Sequence, residues 1–70
     1  MVNHMVLSTE IEWIGYERSK SMLQVEFIAG GIYQYTNVPE NVYQDFLNAP
    51  SHGRFFESEI KGKYTHRKIR

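Results

Sequence analysis

Residues 30–39 read Gly-Gly-Ile-Tyr-Gln-Tyr-Thr-Asn-Val-Pro, and this stretch divides the chain into two parts of different character. The two glycines supply the positive φ angles that tight hairpins require, so a turn is predicted before residue 32. The closing proline is favoured at the first position of a helix, where its missing N–H has no intrahelical partner. We therefore predict strands before this stretch and helices after it.

Three segments have the composition of β-strands. In residues 22–28, Leu, Val and Phe alternate with Gln and Glu, which is the period-two pattern of a strand with one buried face. Residues 11–18 are rich in Ile, Trp and Tyr, and residues 32–36 follow the glycine pair. Short polar or glycine-containing turns separate the three segments, which favours an antiparallel meander.

The second part of the chain changes to helical spacing. Apolar side chains recur at three- and four-residue intervals in residues 40–49, and Pro50 stops this first helix. Ser51 is suited to cap a second helix over residues 52–61, and Gly62 is placed to end it. The last eight residues alternate only weakly and are either a fourth strand or a basic tail.

These elements predict an α+β fold in one small domain. We expect a three-stranded antiparallel meander, four-stranded if the end of the chain is extended, with two short helices packed on one face. Residues 1–7 are assigned to an N-terminal tail and residues 8–70 to the domain. A chain of 70 residues buries only about 60% of its unfolded surface, so large aromatic side chains are needed for its core.

Composition excludes several classes of function. The chain has no cysteine, so it has neither a disulfide framework nor a thiolate metal site. The three histidines are widely spaced, and no metal site, cofactor motif or nucleophile motif is present, so we do not expect an enzyme. No apolar run approaches the roughly 20 residues of a membrane span, and residues 1–10 do not have the pattern of a signal peptide. We therefore expect a cytoplasmic protein that does not bind membranes.

The charged residues are unevenly distributed along the chain. Residues 1–50 contain two Lys or Arg against six Asp or Glu, whereas residues 51–70 contain six against two, although the net charge is zero. A basic end of this kind indicates an anionic partner. The alternative is a solvated tail that only keeps the protein in solution.

Short pieces of the sequence, in order, resemble a known family. The matching residues are Ile14-Gly15-Tyr16, Leu23-x-Val25-x-Phe27, Tyr33-x-Tyr35, Val38-Pro39, Val42-Tyr43, Ala49-x-Ser51-x-Gly53-x-Phe55-Phe56, Ile60 and Tyr64. They resemble the KTSC domain, a module at the C-terminus of some lysyl-tRNA synthetases that also occurs as a free-standing small protein. The resemblance covers about residues 8–69 and implies an RNA-binding role, which its attachment to synthetases suggests. Pro50 departs from the pattern and stiffens the turn between the helices.

Three groups of residues are candidates for binding. Tyr33 and Tyr35 share one strand face, so they either stack on unpaired bases or pack beneath the helices as core. A helix start attracts anions, which makes Ser51, Gly53 and Arg54 a candidate anion site. The third group is the basic end, in which lysines and arginines would neutralise phosphates beside an aromatic ring. Its members are Arg54, Lys61, Lys63, Tyr64, Arg67 and Lys68.

The function predicted from these groups is that of a small non-catalytic binding module. RNA or another nucleic acid is the favoured partner, and no cofactor is expected. The alternative is an adapter that contacts another protein through an exposed Trp13 and the acidic strand region. Modulators of host proteins encoded by phages or plasmids belong to this alternative class.

Overall fold

The computed structural model describes residues 2–70, which form one antiparallel sheet and two short helices. The strands lie in the sheet in the order in which they occur along the chain. They are β1 (Val2–Met5), β2 (Ile11–Glu17), β3 (Met22–Phe27), β4 (Ile32–Tyr35) and β5 (His66–Lys68). Between β4 and β5 the chain forms α1 (Glu40–Leu47) and α2 (His52–Phe55), and α2 continues into a π-helical turn, Phe56–Ile60.

The sheet has five strands, so the prediction of three or four was too low. The end of the chain forms a strand, because β5 pairs with β4 and sets His66 opposite Tyr35. The predicted tail of residues 1–7 is also partly wrong, since β1 pairs with β2 and sets Met5 opposite Trp13. Residue 1 lies outside the described residues. Because β1 is short and does not alternate, only its pairing with β2 identifies it as a strand.

A bulge in β2 determines which side chains face the helices. Ile11 lies opposite Phe27 and Trp13 lies opposite Glu26, so Glu12 is an extra residue in β2. Without it, Ile11 and Ile14 would point to opposite faces of the sheet, because they are three residues apart. With it, both isoleucines are fully buried beneath the helices.

The core lies between one face of the sheet and the two helices. Phe46 of α1 is fully buried, and its ring stacks on Phe55 of α2 at a centroid distance of 5.3 Å. The other fully buried side chains of more than alanine size are those of Ile11, Ile14, Leu23, Val25, Val38 and Ile60. The helices thus cover one face of the sheet, and we call the other one the open face.

Tyr16 of β2 contacts both α1 and the connection between β4 and α1. Its ring stacks on Tyr43 of α1 at 4.8 Å with an interplanar angle of 11°. Its hydroxyl donates a 2.6 Å hydrogen bond to the carbonyl of Val38, the residue before Pro39. A side chain of β2 therefore holds the end of residues 30–39, the stretch that separates the strands from the helices.

The second helix begins and ends as its sequence predicts. The Ser51 hydroxyl accepts a 3.3 Å hydrogen bond from the N–H of Arg54, which is the expected cap. In the last turn, the Lys61 N–H donates to the Phe56 carbonyl five residues earlier, at 2.9 Å. Gly62 follows with a φ of +79°. Within the described part of the chain, no helix has the length and apolar character needed to cross a membrane.

Candidate functional site

The basic end of the chain is spread along one edge of the sheet. β5 is the outermost strand, next to β4. Arg67 lies opposite Gln34 and therefore projects from the open face, whereas Lys68 lies opposite Tyr33 and projects from the covered face. Adjacent residues of a strand point to opposite sides, so these two cations do not form the single patch that their proximity in sequence suggested.

The turn before β5 adds two further lysines to this edge. Lys61 is exposed and lies 3.6 Å from the Glu57 carboxylate, and exposed pairs of this kind contribute little to stability. Lys63 is also exposed, and its backbone N–H donates to the Ile60 carbonyl at 3.1 Å. Tyr64 is half-buried and packs against the core, so it supports this turn from below.

Arg54 belongs to α2 and not to β5 or the turn before it. It shares a shallow depression with two acidic side chains, Glu10 and Glu57, and with Gly53 and Ser58. We call the remaining residues the basic edge; they are Lys61, Lys63, Arg67 and Lys68.

A carboxylate lies next to the anion site that the sequence suggested at the start of α2. A methyl group placed on Gly53 would lie only 3.1 Å from Oε1 of Glu10, so a carboxylate already packs against this glycine. The Ser51 hydroxyl serves as the cap of the helix and accepts from the Arg54 N–H. The carboxylate of Glu10 thus lies beside the predicted anion site of Ser51, Gly53 and Arg54, which stays a prediction.

The two tyrosines of β4 lie on the covered face of the sheet. Tyr35 is buried, and its ring meets that of Phe56 edge-on at 5.8 Å. Tyr33 is half-buried and meets Phe27 edge-on at 5.6 Å. Burial, and secondarily the neighbouring Tyr33, raises the pKa of Tyr35 to about 12. The pair therefore does not form a flat exposed platform, and Tyr35 belongs to the core.

Beside these rings, a cleft of about 670 Å³ opens between the β3–β4 hairpin and the π-helical turn. The aromatic residues that line it are Phe27, Tyr33, Tyr35, Phe56 and His66, and the charged ones are Glu10, Glu57 and Lys61. Most of these residues were not singled out from the sequence. If residues 66–68 had been predicted as a strand beside β4, His66 could have been placed opposite Tyr35. The sequence offers no other signal for this part of the cleft.

The open face has a different character. One row of residues crosses all five strands, and within it Nε2 of the Gln34 side chain donates a 3.2 Å hydrogen bond to Oε1 of Gln24. In strand order this row is Asn3, Gly15, Gln24, Gln34 and Arg67. Trp13 lies on the same face and is half-buried, not fully exposed as the adapter interpretation assumed.

No metal centre is apparent in residues 2–70, where no three His, Asp or Glu side chains come together. His52 has a structural contact instead. Its Nε2 donates a 3.1 Å hydrogen bond to the Leu47 carbonyl, which ties α2 to the end of α1.

These features define a small α+β domain, a five-stranded antiparallel meander covered on one face by two helices. The model of the KTSC domain family matches residues 7–64. The chain therefore belongs to the KTSC domain family, as its sequence signature indicated. A crystal structure of a KTSC domain protein from Yersinia pestis is 45% identical, with a TM-score of 0.96 over 99% of this chain and 97% of that one.

Two further relatives show the settings in which similar sequences occur. A lysine–tRNA ligase of Nostoc punctiforme is 43% identical over 54 residues, which make up 77% of this chain and 10% of the ligase. This chain thus spans about a tenth of the length of that relative. An uncharacterised protein of Stutzerimonas stutzeri is 37% identical over 57 residues, 81% of this chain and 80% of that protein.

Proposed function

We propose that this chain is a non-catalytic RNA-binding module that uses the basic edge. The observation that carries the proposal is the position of the cations on an outer strand and on the turn that leads into it. Similarity to a segment of lysine–tRNA ligases supports RNA as the partner, because a tRNA is the substrate implied by that name. Lysine and arginine side chains neutralise the phosphates of a bound strand.

The geometry favours a single strand that runs along the edge of the sheet. Arg67 projects to one side of β5 and Lys68 to the other, so the phosphates of one strand can contact both. Lys61 and Lys63 add two exposed cations in the turn that leads into β5. For a single strand, the logarithm of the affinity falls by about 0.7 per unit of the logarithm of the salt concentration for each neutralised phosphate. Four contacts would therefore lower the affinity roughly fiftyfold between 50 and 200 mM salt.

The test is fluorescence anisotropy of a labelled single-stranded RNA titrated with the protein at several salt concentrations. We expect Arg67→Glu to weaken binding and to reduce the salt slope by about one phosphate contact. Lys20→Glu is the matched control, because Lys20 is an exposed cation in the turn between β2 and β3. Equal losses for the two variants, or no binding at low salt, would contradict the proposal.

A protein-interaction role is the second candidate, and the open face is the observation that favours it. Met5 is 66% exposed there and lies directly opposite Trp13. A protein that docked on this apolar pair would respond strongly to Trp13→Ala and only weakly to salt. RNA binding through the basic edge predicts the reverse pattern, so the same two variables distinguish the candidates.

A further inference from the structure

The tyrosines of the cleft carry hydroxyl groups that the protein itself does not use. Within the part of the chain that the structure describes, neither Tyr33 nor Tyr35 makes a side-chain hydrogen bond, whereas the Tyr16 hydroxyl donates to Val38. Both residues line the cleft, and neither hydroxyl is among the buried polar atoms that lack a partner, so both are open to solvent. Open hydroxyls beside a cavity can bond to a ligand that carries hydrogen-bonding groups.

The shape and lining of the cleft suit a flat ring. Its volume of about 670 Å³ lies within the range of small-molecule sites, roughly 300–1,000 Å³. The His66 ring is inclined by 33° to that of Tyr35 at a centroid distance of 5.3 Å, and the Tyr33 ring lies 6.0 Å from that of His66. Aromatic and imidazole faces of this kind stack on nucleobases.

The charges at the cleft suit a ligand with both donor groups and an anionic group. Glu10 and Glu57 offer carboxylate oxygens, which accept hydrogen bonds from the amino groups of a base. Lys61 and His66 offer N–H groups that can hold a phosphate. Lys68 adds positive charge nearby, since its Cε lies 3.6 Å from the position of a methyl group placed on Gly31.

We propose that this cleft binds one ribonucleotide, with its base among the rings of Tyr33, Tyr35 and His66 and its phosphate toward Lys61. The inference rests on the proposed RNA-binding function, because the nucleotide would be one unpaired residue of the bound strand. A free nucleotide has the same chemistry, so the two sources must be separated by experiment.

The experiment titrates the ¹⁵N-labelled chain with adenosine 5′-monophosphate and, separately, with a short single-stranded RNA. Cleft-lining amides are expected to shift in both titrations, and the RNA is expected to bind more tightly because it also contacts the basic edge. The fluorescence of Trp13, the single tryptophan, reports on the open face and is expected to stay constant with the free nucleotide. A shift of Trp13 fluorescence without shifts at the cleft would overturn the inference.

Conservative variants test the hydroxyls without removing rings from the fold. Tyr33→Phe is expected to weaken nucleotide binding about threefold to tenfold, the usual effect of one hydrogen bond. Tyr43→Phe is the control, since that residue stacks on Tyr16 and does not line the cleft. Equal affinities of wild type and Tyr33→Phe, with no shifts at the cleft, would overturn the inference.

The outcome for the cleft can be separated from that for the basic edge. Arg67 projects from the open face, so Arg67→Glu is expected to weaken RNA binding while leaving the free nucleotide unaffected. RNA binding that depends on Arg67 but not on Tyr33 would refute the cleft site alone. Nucleotide binding at the cleft without any binding of RNA would refute the proposed function, and would leave a site for free nucleotides.

Discussion

Replacement of Tyr16 by phenylalanine tests how the strand part of the chain is joined to the helical part. The hydroxyl of Tyr16 donates a 2.6 Å hydrogen bond to the Val38 carbonyl, and Val38 is fully buried. Phenylalanine keeps the ring that stacks on Tyr43 and removes only this bond. The Val38 carbonyl would then have lost a partner in a place with little access to water.

The expected loss is about 1–2 kcal/mol in the free energy of unfolding, because a buried acceptor is left unsatisfied. In a domain of this size, that loss lowers the melting temperature by roughly 5–15 °C. Unfolding in urea followed by the fluorescence of Trp13 measures the free energy directly, and thermal unfolding by circular dichroism provides the second reading.

Tyr43→Phe is the matched control for this prediction. It removes a hydroxyl from the other ring of the same stack, and no hydrogen bond of that hydroxyl is found in residues 2–70. We therefore expect a loss well below that of Tyr16→Phe. Equal losses in the two variants, or a Tyr16→Phe protein as stable as wild type, would refute the role assigned to the Val38 contact.

Three further predictions concern the hairpin, the cleft and the basic edge. Gly31→Ala should destabilise the fold more than Gly30→Ala, and urea unfolding of both variants measures the difference. Both glycines have a positive φ, but only at Gly31 would the new methyl group lie 3.2 Å from the ring of Tyr33. The pKa of Tyr35 is about 12 in the folded chain, and its ordinary value is 10.0. The contribution of the neutral hydroxyl to the free energy of unfolding is therefore fully present below pH 10 and is lost as the pH rises through 12. Stability should therefore fall less in Tyr35→Phe than in wild type between about pH 10 and pH 12, and equal falls would contradict this. Charged side chains keep outer strands from pairing with other chains, so replacing Arg67 and Lys68 by alanine should increase self-association in sedimentation experiments.

The sequence was most informative where local patterns decide the structure. The alternation in residues 22–28, the glycine pair and the caps of the second helix each act over a few residues, and the meander and helices follow from them. The bulge at Glu12 was not predictable, because it depends on the pairing of β2 with β3. The same is true of β1, which has a weak pattern of its own and forms by pairing with β2.

The candidate site was harder to predict than the fold. The basic end was found from charge alone, but the separation of Arg67 from Lys68 follows only when β5 is known to be a strand. The cleft combines Phe27, Phe56 and His66 from three distant elements, and no short spacing in the sequence links them. Glu10 was counted only among the acidic residues of the first part of the chain, and its packing against Gly53 was not foreseen.

Chemical-shift mapping of the ¹⁵N-labelled chain tests whether RNA binds along the basic edge. Single-stranded RNA, tRNA and duplex DNA are added in turn at low salt. We predict that the amides of residues 61–70 move with single-stranded RNA and return toward their free positions as salt is added. If no resonance from residues 61–70 moves with any of the three nucleic acids at low salt, the account of this domain as an RNA-binding module is wrong.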